Sequence, residues 1–188
     1  RNGHPQEAIA NYREALKIEP NIPGLHFELA EMLNTSQLAS DKEQAESEYK
    51  VALAVNQFDE KSECRLGDIA ARKGDQEQAL SHYTRAVQLQ PNDPEADIDL
   101  AKMLMQKNQL LQAEPLLDRA VKLDPTSAIA HFRLGTLYRE TGRTADAKRE
   151  LDQFQKYKEM KEKLRDIYSE MRLEPAKQEQ DQTDNARK

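Results

Sequence analysis

The chain has 188 residues, a net charge of −6 and a pI near 5.4, with 37% apolar and 33% charged side chains. That acidic balance excludes the basic stripe with which proteins displace counterions from nucleic acid, and no apolar run reaches the ~18 residues of a membrane span. The single cysteine, Cys64, excludes an intramolecular disulfide and a cysteine-ligated metal cluster.

The first element is "PQEAIANYREALKI", a predicted helix from Pro5 to Ile18 that places Ala8, Tyr12 and Ala15 on one stripe and stops before Pro20. A matching stretch, "GDQEQALSHYTRAVQLQPN", follows at Gly74 to Asn92. Ala8, Ala45, Ala79, Ala113 and Ala147 lie 37, 34, 34 and 34 residues apart, and Leu29, Leu66, Leu100 and Leu134 lie 37, 34 and 34 apart. Two columns therefore share one period and one three-residue exception, which marks an internal repeat.

Each repeat reads as two helices. The first carries Leu29-Ala30, Leu66-Gly67, Leu100-Ala101 or Leu134-Gly135, with Leu33, Ala70, Leu104 or Tyr138 one turn later on the same face. Gly74, Asn108 and Gly142 then supply turn residues that tolerate positive φ. The second helix presents Ala79, Tyr83 and Ala86, or Ala113, Leu117 and Ala120, and Pro91 or Pro125 ends it. Small residues suit the points where helix axes come within about 8–10 Å. Neither helix buries its stripe alone, so the units must stack.

The predicted organisation is one array over residues 1–172, made of a half unit 1–21 and units 22–59, 60–93, 94–127 and 128–159. The unit 22–59 carries three extra residues within "NTSQLASDKEQ", read as a lengthened inter-helix turn, and ends in Gln57 where others have proline. In the last unit Phe154 replaces the alanine of Ala52, Ala86 and Ala120, and no Gly or Pro interrupts the chain until Pro175. One long helix is expected from Thr144 to about Arg172, followed by a polar, flexible tail over 173–188. The half unit starts at a turn and lacks its first helix. The chain therefore reads as cut from a longer one, its true N-terminus missing, with the stripe of the helix from Pro5 to Ile18 left exposed.

The 34-residue period, the Leu-Gly pair, the Ala/Tyr/Ala second helix and the closing "LDP" or "LQP" resemble the tetratricopeptide repeat family over about residues 3–157. That resemblance implies an all-α, right-handed α-solenoid of antiparallel helix pairs with a long C-terminal helix, and partner binding on the face lined by first helices. The family's early tryptophan position holds His26, Glu63, Asp97 and His131, so packing there is expected to be weaker or more polar.

Three rows of the first helices should line that face. They are Phe27, Cys64, Ile98 and Phe132; Glu28, Arg65, Asp99 and Arg133; and Glu31, Asp68, Lys102 and Thr136. The candidate groove residues are Phe27, Glu31, Lys61, Arg65, Ile98, Lys102, Met105, Phe132, Arg133 and Arg139. The apolar row serves either as a groove floor or as a seal between neighbouring helices. The second row alternates in sign, which allows its charges to pair with one another at ~0–1 kcal/mol each.

One subclass of the family grips the C-terminal carboxylate of heat-shock chaperones with Lys, Asn, Asn, Lys and Arg. Lys61 and Arg65 match its last two positions by spacing, but Glu28 stands at the second asparagine and would repel a carboxylate. The asparagine ladder of the family's sugar transferases is absent as well.

No metal-ligand spacing joins the four histidines, and "DID" at Asp97–Asp99 reads as solvated surface. No GxSxG, P-loop, dinucleotide fingerprint or HExxH occurs, and Asn34-Thr35-Ser36 fits the glycosylation pattern only as a short motif does by chance. A non-catalytic protein or peptide-binding module is expected, with no cofactor or metal, no nucleic acid and no membrane insertion. Two alternatives stay open: self-assembly through the end helices, with Met160, Leu164, Ile167 and Met171 as the association surface, and the interaction segment of a larger protein or enzyme.

Overall fold

The computed structural model describes residues 5–185, and side chains over residues 6–171. Nine helices and no strand occur among the described residues: α1 (Pro5–Ile18), α2 (Leu25–Asn34), α3 (Ala39–Val55), α4 (Glu60–Lys73), α5 (Gln76–Leu89), α6 (Pro94–Gln106), α7 (Leu110–Leu123), α8 (Ala128–Glu140) and α9 (Thr144–Asn185). The chain divides into two compact units, the first ending at Leu123 and the second beginning at Asp124. The first unit holds α1–α7, each helix packed on its neighbour in sequence, and the second holds the pair α8–α9. The α9 helix continues past the expected end near 172. The flexible-tail expectation for 173–188 falls outside the residues whose side chains are described.

Local chemistry sets the helix ends. The Asp59, Asp75, Asp93 and Ser127 side chains accept from the backbone N–H of Ser62, Gln78, Glu95 and Ala130, satisfying donors that a first turn leaves unpaired. Gly74 closes α4 at φ 81°, where a side chain would clash, and Asn108 takes φ 58° at the equivalent turn of the next pair. The three extra residues of unit 22–59 lengthen the turn, residues 35–38, only slightly relative to 74–75, 107–109 and 141–143. Their main effect is to extend the second helix, for α3 has 17 residues against 14 in α5 and α7. An added helical turn keeps its backbone groups paired, which a longer loop would leave to solvent.

Both columns are buried in the complete helix pairs. Leu29, Leu66, Leu100 and Leu134 are at most 7% exposed, and the stripes Ala45–Tyr49–Ala52, Ala79–Tyr83–Ala86 and Ala113–Leu117–Ala120 at most 4%. The α1 stripe is not left open as expected. Ile9 sits in a core cluster with Leu29, Leu33, Tyr49 and Leu66, Tyr12 and Leu16 pack against it, and Ala8 and Ala15 are half-buried. Docking on α2 supplies the partner that the helix could not find in its own half unit.

The tryptophan position is polar in every repeat, and each time its side chain bonds to the second helix. His26 Nδ1 lies 2.6 Å from Glu48, Glu63 lies 2.7 Å from His82 Nδ1, and His131 Nδ1 lies 2.8 Å from Glu150. Asp97 takes the two nitrogens of the Arg119 fork, with Nε at 2.6 Å. The reading of "DID" as solvated surface is therefore corrected: Asp97 is 1% exposed, and Arg119 satisfies it. His26 and His131 also bond through Nε2 to the carbonyls of Pro20 and Pro125, so each ring ties the helix pair to the turn before it. A polar pair hydrogen-bonded across the helices fills the place where an indole would pack.

Candidate functional site

In the first unit the first helices α2, α4 and α6 border a cleft of about 510 Å³, with Glu31, Arg65, Asp68, Asp99 and Lys102 on its walls and Tyr83 of α5 behind them. A smaller cleft of about 290 Å³ shares Glu31, Arg65 and Asp99 and adds Phe27, Lys61 and Cys64. Five of the candidate residues are therefore brought to one surface: Phe27, Glu31, Lys61, Arg65 and Lys102.

The others are placed differently. Ile98 is 7% exposed and belongs to the core, as does Cys64, which packs with Ala86 and Ala96 between α4, α5 and α6. Met105 is half-buried on α6 outside both clefts. Phe132, Arg133 and Arg139 lie on α8 in the second unit. There Phe132 packs against Phe154 with ring centroids 5.2 Å apart, and the Arg133 guanidinium sits over the Phe132 ring at 5.9 Å. Arg139 is exposed.

The charges of the cleft are held by hydrogen bonds across helices. Arg65 donates to Glu31 through Nε at 2.8 Å and Nη2 at 3.2 Å, and its Nη1 stands 3.6 Å from Asp68. The expected pairing along the row Glu28, Arg65, Asp99, Arg133 is corrected accordingly, since Arg65 reaches one turn further to Glu31. Tyr49 donates its hydroxyl to Glu31, and Tyr83 donates to Asp68 at 2.8 Å. Burial pushes the Glu31 carboxyl up, but the bonds from Arg65 and Tyr49 outweigh it and hold it below the usual carboxylate range. Burial and the neighbouring carboxylates push both tyrosine hydroxyls up, so they remain donors.

Asp99 is the exception. It makes no ion pair or hydrogen bond among the described residues; burial, then repulsion from Asp68, pushes it up to about 6 against the opposing pull of Lys102 and Arg65. Its folded value lies above the ordinary 3.8, so the folded state holds the proton more tightly. Stability is therefore lost as pH rises through the window from about 4 to about 6. Asp99→Asn is expected to stabilise the fold by about 1 kcal/mol at neutral pH, allowing for partial exposure, and to remove that pH dependence. Urea denaturation at the two ends of the window measures both.

Asp68 and Asp99 lie in the rows that repeat register assigns to this face but are not among the candidate residues, and Tyr83 reads from the sequence only as packing. A signal was present. Glu31 with Tyr49 and Asp68 with Tyr83 occupy the same two repeat positions, and where the acid becomes Lys102 or Thr136 the tyrosine becomes Leu117 or Leu151. Acid and phenol come and go together because the buried hydroxyl needs an acceptor.

Among the described residues no three His, Cys, Asp or Glu side chains converge as metal ligands, and no helix is long and apolar enough to cross a membrane.

Comparison with known proteins places these features. No curated protein sequence matches the chain significantly. Solved structures that resemble it include MamA 41-end from Desulfovibrio magneticus RS-1, 23% identical over 87% of this chain and 89% of that one, with TM-score 0.65. A Pseudomonas aeruginosa pilF structure is 21% identical over 81% and 68%, with TM-score 0.72. YrrB, described as a TPR protein with an unusual peptide-binding site, is 21% identical over 81% and 77%, with TM-score 0.63. At these identities the likeness is one of fold. Models of the tetratricopeptide repeat match residues 1–22, 39–94, 70–122 and 104–159. With its period, buried columns and helix pairs matched by those models over most of its length, the chain belongs to the tetratricopeptide repeat family.

Proposed function

We propose that the chain is a protein-interaction module that acts by binding, and that it holds an extended partner segment in the α2–α4–α6 cleft. Family membership and the peptide-binding site described for YrrB support an interaction role in general. The single observation that carries the finer reading is Asp99, a carboxylate on the cleft wall beside Asp68 that no side chain neutralises by contact. Arg65 gives its hydrogen bonds to Glu31 and acts on Asp99 only through space. A partner segment presenting Lys or Arg at this point gains an unpaired, partly desolvated counter-charge, where electrostatic complementarity contributes most to selection.

Random peptides displayed on phage and panned against the chain test this reading. Enriched peptides should carry a basic residue and should lose affinity about tenfold or more for Asp99→Asn and for Asp99→Lys. Failure to enrich any peptide, or binding to both variants as tight as to the parent chain by fluorescence polarisation, overturns it.

A second reading, assembly of copies through the end of α9, is favoured by a different observation. Met160, Leu164, Ile167 and Met171 are 51%, 49%, 51% and 59% exposed, an unusually apolar stripe for open solvent.

A further inference from the structure

The α9 helix changes role along its length. Phe154 packs on Phe132 and Tyr157 stacks on His131 with centroids 5.5 Å apart, so this part belongs to the α8–α9 pair. Every residue from 158 to 171 is exposed. Within that stretch the apolar side chains are Met160, Leu164, Ile167 and Met171, with Tyr168 beside them, at steps of four, three and four. Such steps are the seam of a two-helix coiled coil.

We propose that this segment pairs with the same segment of a second copy of the chain, antiparallel, about a two-fold axis between Leu164 and Ile167. The inference rests on the assembly reading above and adds orientation and register. The stripe reads the same from either end. Turned end for end, it sets Leu164 against Ile167 of the second copy and Met160 against Met171 of the second copy. That register covers all four side chains in both helices, and the two-fold makes the interface self-complementary.

Charge decides the orientation. The seam is flanked by Lys156, Lys163 and Glu170 on one side and by Lys161 and Tyr168 on the other. A parallel pair sets Lys156 against Lys161 of the second copy, twice, and gains no opposite-charge contact from the exposed stretch. An antiparallel pair sets Lys163 against Glu170 of the second copy, twice, and leaves Lys161 beside Tyr168. Flanking charges of this kind select partner and orientation.

Sedimentation equilibrium of the chain from micromolar to millimolar concentration tests the proposal. The mass should rise from 21.6 kDa toward twice that value. Lys163→Glu and Glu170→Lys each create two like-charge contacts and should move the midpoint of assembly upward by about tenfold. The double variant Lys163→Glu/Glu170→Lys should return it close to the original. Both positions are exposed, so helix content by circular dichroism should stay constant in all three. A monomer at every concentration overturns assembly and orientation together. Assembly that the single variants weaken and the double variant does not rescue overturns the antiparallel register and leaves assembly standing.

Discussion

Arg119→Met is expected to destabilise the first unit by about 3 kcal/mol, whereas Asp97→Leu combined with Arg119→Met should come back to within about 1 kcal/mol of the parent. Asp97 is 1% exposed and its two oxygens are taken by the Arg119 guanidinium. Removing the cation alone leaves a carboxylate that must either stay charged without a partner or take up a proton. Removing both groups leaves an apolar contact between α6 and α7 at the place where the family packs tryptophan. The arginine side chain is 41% exposed, so part of its charge is already solvated, and the effect should fall at the lower end for a buried pair. Urea denaturation of the two variants checks it. A single-variant loss below about 1 kcal/mol, or a double variant no better than the single, would show that the pair does not hold these helices together.

The second large effect is at a close contact between α4 and α5. Gly67→Ala should cost about 2–3 kcal/mol, because a Cβ there would stand 2.7 Å from Cε1 of Tyr83. The ring cannot retreat easily: it is 2% exposed, and its hydroxyl is bonded to Asp68. Gly135 occupies the same repeat position, but its added Cβ would meet Leu151 Cγ at 2.9 Å, on a half-buried aliphatic side chain that no hydrogen bond anchors, with the Ala147 carbonyl oxygen further off at 3.3 Å. Gly135→Ala should therefore cost clearly less than Gly67→Ala. Thermal or urea unfolding of the two variants side by side measures the difference, and equal losses would remove the tyrosine from the explanation.

Of these two cases the glycine contact was legible in the sequence and the Asp97–Arg119 pair was not. A leucine column and an alanine column with one shared period were enough to identify helix pairs, their turns and the small residues at close contacts. Burial of Leu29, Leu66, Leu100 and Leu134, and positive φ at Gly74, Asn108 and Gly142, agree with that periodicity. Backbone geometry and hydrophobic period act over one or two turns, and a single sequence displays both.

The errors share a cause as well. Asp97 looked like surface because aspartate is polar, and its partner Arg119 is a different helix away. The extra residues near Asn34 looked like loop because polar residues fill them, yet their main effect is to extend α3. Arg65 was matched to its own row, and it bonds instead to Glu31, 34 residues earlier in the chain. In each case the deciding contact joins residues from two helices, and composition within one helix says nothing about it.

The candidate groove was legible in the same partial way. Repeat register alone brought Phe27, Glu31, Lys61, Arg65 and Lys102 to one surface. Ile98 followed the same register and went into the core, because α6 is buried around most of its circumference, with Ala96, Asp97, Leu100, Ala101, Met103 and Leu104 buried as well. The sequence by itself determined the repeat, the helix pairs and the family, since these follow from periodic burial that every unit repeats. Only the tertiary structure decided which charges are already spent on one another, leaving Asp99 without a contact partner and the far end of α9 uncovered. Pairing depends on distances between helices, and no single helix encodes them.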